Sequence, residues 1–129
     1  MLILIFTVLD ASPVKWYSDY EKALSLAKKE NKLMMVYLQK KDCKDCKKMI
    51  NITFLNQEYI KKLNDNYISV VVNYEDKYSS YPIEMFYSID FPALFFVNPK
   101  DESFIIDPLF GFVSPKEISS LPLFLPSIF

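Results

Sequence analysis

At 129 residues the chain has the length of one domain, enough to close a single hydrophobic core, and an apolar content of 51% argues against disorder. With 15 basic against 16 acidic residues the net charge is −1, which excludes a bulk nucleic-acid binder. The absence of His removes Ser-His-Asp, Cys-His and ordinary zinc-hydrolase chemistry, and a single glycine, Gly111, can write neither a dinucleotide fingerprint nor a P-loop.

The first nine residues, Met1 to Leu9, are almost wholly apolar and lead into Asp10-Ala11-Ser12-Pro13. The run is too short to span a bilayer. It reads as the hydrophobic part of an export signal cleaved near Ala11, because it lacks the alternation of a half-buried strand; the alternative is a first, buried strand. From Ser18 the pattern turns helical: Ser18 and Glu21 fit a capping box, and Tyr20, Ala23, Leu24 and Ala27 share one face until Lys28 to Lys32 ends it. Leu33 to Leu38 is a continuous apolar run, which suits a central strand covered on both faces. After it Cys46, Met49, Ile50, Thr53 and Phe54 recur at helical spacing, so the cysteines open a helix directly after a buried strand.

Asn56 can cap the next helix with Tyr59, Ile60 and Leu63 inward, and Tyr67 to Val72 reads as a strand. Asn73 to Tyr81 is a polar, tyrosine-rich loop, and Pro82 is placed to start a short helix through Tyr87. Phe91-Pro92 interrupts before a strand over Ala93 to Val97; Asn98 to Asp101 is a turn, and Phe104 to Ile106 begins a hairpin partner. Gly111 marks a bend or bulge. Ser114-Pro115-Lys116-Glu117 is a second capping box opening a last helix that Pro122 stops, and the apolar tail to Phe129 is expected to pack back over the core. The domain is expected to run over 13–129, with 1–12 a signal remnant or first strand.

Cys43 and Cys46 are separated by two residues, so they cannot frame a disulfide-rich scaffold and read as a site. At a helix start they share one face within reach of a disulfide. Unpaired backbone N–H groups and the positive helix end favour a thiolate at Cys43, the thiol expected to be the more exposed. Lys40, Lys41, Lys44, Lys47 and Lys48 push the same way, against Asp42 and Asp45, and Cys46, one turn inside, would resolve a mixed disulfide. Two cysteines and no histidine fall short of the four ligands zinc wants, so neither a metal nor a cofactor is expected.

A strand, C-x-x-C at a helix start and a later strand preceded by Pro together resemble the thioredoxin-like superfamily. The resemblance is closest to its secreted or periplasmic reductase-type proteins, such as the C-terminal domain of bacterial transmembrane thiol:disulfide interchange reductases. Trp16 to Asn31, the apolar strand, Cys43 to Met49, Ile89 to Val97 and Gly111-Phe112 follow that pattern in order. The resemblance implies an α/β, three-layer fold with a central mixed β-sheet flanked by helices. It also implies a thiol:disulfide oxidoreductase in which Cys43 attacks, Cys46 resolves, and Lys44 and Asp45 tune the pair. Pro92 would follow a cis peptide bond and, with the Phe91 backbone, stand beside Cys43 and bind substrate main chain.

The implied partners are protein disulfides or dithiols and a reductase or oxidase, with no nucleic acid and no membrane insertion of the mature domain. The domain would act as a monomer, periplasmic or secreted, or cytoplasmic if the first residues are a strand. Two positions depart from the family. Thioredoxin's buried Asp, six residues before the first cysteine, is here Tyr37, and the usual aromatic before that cysteine is Asp42. Tyr37 either lines the core or has a polar role, since a buried Tyr hydroxyl normally finds a partner. The competing function is a redox-inactive binding module that docks a partner through the tyrosine-rich loop or the apolar tail. On the export reading, protein made in its native host should lose about the first dozen residues and lie outside the cytoplasm. Mass spectrometry of the recovered protein checks this, and an intact cytoplasmic Met1 form would identify the run as a strand.

Overall fold

A strand apolar from Leu33 to Leu38 must be covered on both faces, and β2 (Leu33–Gln39) is buried from Met34 to Leu38. The structure, a computed structural model, describes residues 12–76 and 81–121. The expectations for residues 1–11, for Pro122 and for the apolar tail lie outside the described residues. β2 occupies the middle of a five-stranded sheet with β1 (Trp16–Tyr17), β3 (Tyr67–Asn73), β4 (Ala93–Val97) and β5 (Leu109–Phe110), in the order β1-β3-β2-β4-β5. β3 runs parallel to both β1 and β2, whereas β4 is antiparallel to β2 and β5 to β4, so the sheet is mixed.

Alternation along the strands divides the core in two. Met34, Val36 and Leu38, with Ile68, Val70, Val72, Phe95 and Val97, face α1 (Tyr20–Glu30) and its buried Tyr20, Ala23, Leu24 and Ala27. Met35 and Tyr37, with Leu94 and Phe96, face the other way. They meet Met49 of α2 (Lys44–Asn51), Phe54 of a short 3-10 turn (Thr53–Leu55), Tyr59, Ile60 and Leu63 of α3 (Gln57–Asn66), and Ile118 of α4 (Pro115–Ser119). The result is the three-layer α/β arrangement with a mixed sheet between helices.

Side-chain caps fix where the helices begin. Asn56 Oδ1 accepts from the Tyr59 N–H at 3.0 Å, and Ser114 Oγ accepts from Glu117 N–H at 3.1 Å with Pro115 in the first helical position. α1 corrects the expected capping box: its cap is Asp19, one residue after Ser18, with Oδ1 accepting from Lys22 N–H at 3.1 Å. It ends at Asn31 in the left-handed conformation, φ 55°, which Asn tolerates better than most residues.

One further expectation is corrected. The segment after Pro82 makes a single turn and no helix; Phe86 alone is buried there, against Tyr20 and Phe95, while Ile83, Glu84 and Tyr87 are exposed. One anchored residue does not make a helix face, and a single turn is too short to sustain itself. The hairpin partner of β4 does begin at Phe104, where Ile105 N–H donates to the Phe96 carbonyl at 2.9 Å, but it is interrupted. Phe104 bridges Val97, and strand pairing resumes at Leu109 opposite Leu94, so three steps along β4 face five along its partner. Pro108 within the bulge has no N–H for the ladder. The first described strand is the two-residue β1, too short to show any period in the sequence.

The cap assignment is testable by denaturant unfolding: Asp19→Ala should cost about 1 kcal/mol, whereas Ser18→Ala should stay within about 0.5 kcal/mol. The reverse ranking would restore Ser18 as the cap.

Candidate active site

The end of β2 delivers the chain to the site, and hydrogen bonds fasten that end to the end of β3. Gln39 Nε2 donates to Asn73 Oδ1 at 2.7 Å, and Tyr74 N–H donates to the Gln39 carbonyl at 2.8 Å. Lys41 N–H then donates to the Glu75 carboxylate, 3.0 and 3.3 Å from its two oxygens, which pins the loop before the cysteines. Asp42 takes the left-handed conformation, φ 54°, and turns the chain into α2.

Cys43 is the N-cap of α2. Its backbone is extended, and its sulfur accepts the Cys46 N–H at 3.1 Å, the place a capping oxygen would fill. Cys43 and Cys46 are joined in a disulfide with a Cα separation of 5.2 Å, inside the range such bridges span. Exposure is 8% at Cys43 and 4% at Cys46, so the expected difference between them is small while the bridge is closed. Both line an open cleft of about 560 Å³, shared with Lys41, Asp42, Lys47 and Ile50 on one side and Asn73 and Glu75 on the other.

Five exposed lysines, Lys40, Lys41, Lys44, Lys47 and Lys48, surround the pair. The ion pairs among the described residues, Lys32–Glu30 and Lys62–Glu58, lie elsewhere, so these ammonium groups act on the site through their field. Two also sit over aromatic rings: Lys40 Nζ is 5.0 Å from the centre of Phe91 and Lys48 Nζ 5.7 Å from that of Phe112. Lys44 is exposed and Asp45 half-buried in the first turn of α2. Among the described residues no group of three or more His, Cys, Asp or Glu could hold a metal ion.

The Phe91–Pro92 peptide bond is cis, and Pro92 is buried immediately before β4. Because Ala93 pairs with Leu38, Pro92 falls at the same end of the sheet from which the cysteine loop departs. Gly111 connects the two. Its N–H donates to the Pro92 carbonyl at 2.8 Å, and a Cβ on it would lie 3.9 Å from Asp45 Oδ2 in α2. Val113 extends the seam, its N–H donating to Met49 Sδ at 3.3 Å and its carbonyl accepting from Thr53 Oγ1 at 2.5 Å. Phe91 is half-buried, its ring 5.2 Å from that of Tyr74.

Tyr37 is fully buried, its ring packed on Trp16 and Phe54, and burial pushes its hydroxyl well above the ordinary phenol range. The hydroxyl donates to the Cys46 carbonyl at 3.2 Å. Tyr37 thus lines the core while its hydroxyl is hydrogen-bonded to α2. Glu75, Tyr74 and the contacts of Gly111 escaped the sequence reading. Glu75 reaches Lys41 across 34 residues of chain, and no local pattern announces such a contact.

The sequence model of the family described as Thioredoxin-like matches residues 15–99, 85 of the 129 residues. Rat (Rattus norvegicus) spermatogenesis-associated protein 20 is 36% identical over 66 residues, which is 51% of this chain and 8% of that protein. The chain thus spans less than a tenth of that relative's length. A thioredoxin from Thermus thermophilus superposes with a TM-score of 0.70 at 21% identity, covering 83% of this chain and 82% of that one. The C-terminal domain of Neisseria meningitidis DsbD in its oxidised form does so at 0.60 and 22%, covering 76% and 85%. These structural likenesses establish a common fold.

Gly111 has room for a methyl group, but its φ of +81° does not suit an L side chain. Gly111→Ala should therefore cost about 1–2 kcal/mol in denaturant unfolding, from backbone strain and not from crowding. An unchanged midpoint would show that the left-handed geometry at 111 is not needed to hold Pro92.

Proposed function

The chain belongs to the thioredoxin-like family, and on that premise we propose that it is a thiol:disulfide oxidoreductase, exchanging electrons with cysteines of partner proteins through Cys43 and Cys46. The observation that carries the reading is the cap geometry: the Cys43 sulfur accepts the Cys46 N–H, is bonded to Cys46 and opens onto a cleft. When the pair is reduced, that N–H, the positive end of α2 and five exposed lysines favour a Cys43 thiolate, the attacking form.

In exchange the Cys43 thiolate forms a bond to one sulfur of a substrate disulfide, and the other substrate sulfur leaves with the electron pair of the broken bond. Cys46 then bonds to Cys43, and the first substrate sulfur leaves as a thiolate that takes up the proton Cys46 gives up. The substrate is reduced by two electrons and the pair oxidised by two; a reductase partner restores the dithiol, and an oxidase partner drives the cycle in the opposite direction. Phe91 and Pro92 are the residues we assign to substrate main chain, and Lys44 and Asp45 those that set the relative stability of dithiol and disulfide. A periplasmic or extracellular setting, where protein disulfides persist, suits this chemistry.

The roles of the two cysteines separate in a trapping experiment. Cys46→Ser should accumulate mixed disulfides through Cys43, seen as adducts on non-reducing gels and by mass spectrometry, because the intermediate has lost its internal exit. Cys43→Ser should accumulate none. Equal trapping by both variants would sink the assignment, and failure of the wild-type protein to reduce an insulin-type disulfide would sink the activity.

A further inference from the structure

Opening the disulfide removes the covalent tie between the two sulfurs, and resolution then depends on what holds each cysteine in place. Cys43 is held from the loop side, where Glu75 pins Lys41, and from α2, where its carbonyl accepts from Lys47 N–H at 3.2 Å. Cys46 is held from beneath. Tyr37, on the central strand and 0% exposed, donates its hydroxyl to the Cys46 carbonyl at 3.2 Å, and its ring is clamped 4.9 Å from Phe54 and 5.7 Å from Trp16. A buried hydroxyl is costly without a partner, and a phenylalanine would fill the same space without that requirement. The hydroxyl's contribution is therefore to the main chain of the inner cysteine.

We propose that Tyr37 is a positioning residue for Cys46, governing the resolution step of exchange and not the attack step. The inference rests on the exchange reading above. In that step Cys46 Sγ bonds to Cys43 Sγ as the Cys43–substrate bond breaks, and the substrate sulfur leaves with the electron pair and takes up the Cys46 proton. Tyr37 takes no proton in this sequence; burial keeps its O–H intact as a donor, as it does at the neighbouring Tyr59 and Tyr67. At 3.2 Å the bond is longer than the usual O–H···O range, so the effect expected from its loss is modest.

Stopped-flow mixing of the reduced full chain with oxidised glutathione separates the steps, since attack accelerates with glutathione disulfide concentration and resolution does not. Tyr37→Phe should slow resolution about threefold to tenfold and leave attack within about twofold. Tyr59→Phe, on the same buried face with its hydroxyl on Met35 Sδ at 3.3 Å, should alter neither. Equal slowing of both steps by Tyr37→Phe, no slowing of resolution, or the same slowing from Tyr59→Phe would overturn the proposal. Tyr37→3-fluorotyrosine provides a second variant that keeps the ring and strengthens the donor; it should raise the resolution rate with attack unchanged, and an unchanged or lower rate counts against the proposal. Absence of any attack phase in the wild-type protein would overturn the exchange reading and this inference with it. A normal attack phase with resolution indifferent to residue 37 would overturn this inference alone.

Discussion

Burial of β2 on both faces is the constraint from which the rest of the structure follows. A strand with no solvent face must find a layer for its even residues and another for its odd ones, and α1 supplies one while α2, α3 and α4 supply the other. Its pairing also sets the site. Parallel to β3 and antiparallel to β4, β2 ends beside Asn73 on one flank and Pro92 on the other. The cysteine loop therefore emerges between two elements already fastened to the sheet.

The seam from Gly111 to Val113 gives that arrangement rigidity. It donates to Pro92, passes Asp45, donates to Met49 Sδ and accepts from Thr53, so the proline loop and α2 share one clamp. Within it α2 is capped by a sulfur that is itself bonded to Cys46. That N–H at the start of α2 would favour negative charge on the sulfur once the pair is reduced, so helix capping and the proposed exchange draw on one hydrogen bond.

Several elements were legible because their signals are local. The capping positions Asn56 and Ser114, the strand Ala93–Val97 and the opening of α2 at the cysteines all follow from spacing within a dozen residues. The errors are local too, and instructive. Ser18 and Asp19 are both competent caps, and the buried face of Tyr20, Ala23, Leu24 and Ala27 is the same for either; the extended backbone at Asp19 and its bond from Lys22 N–H put the helix start one residue later. The turn after Pro82 carries a helix-start signal that packing does not sustain, since Phe86 alone is drawn inward.

By itself the sequence determined the chemistry available and much of its scaffold. It contains one vicinal-type cysteine pair, no histidine, a doubly buried strand before the pair, and an X-Pro step before another strand. Periodicity and capping act through bonds of a few residues' reach, so one dimension suffices to read them. Only the tertiary structure decided that Tyr37 reaches the Cys46 carbonyl, that Glu75 pins Lys41, and that Gly111 stands between Pro92 and Asp45. Those contacts join separate elements through strand register and side-chain direction, quantities that exist only once the sheet has formed and its two faces have been covered.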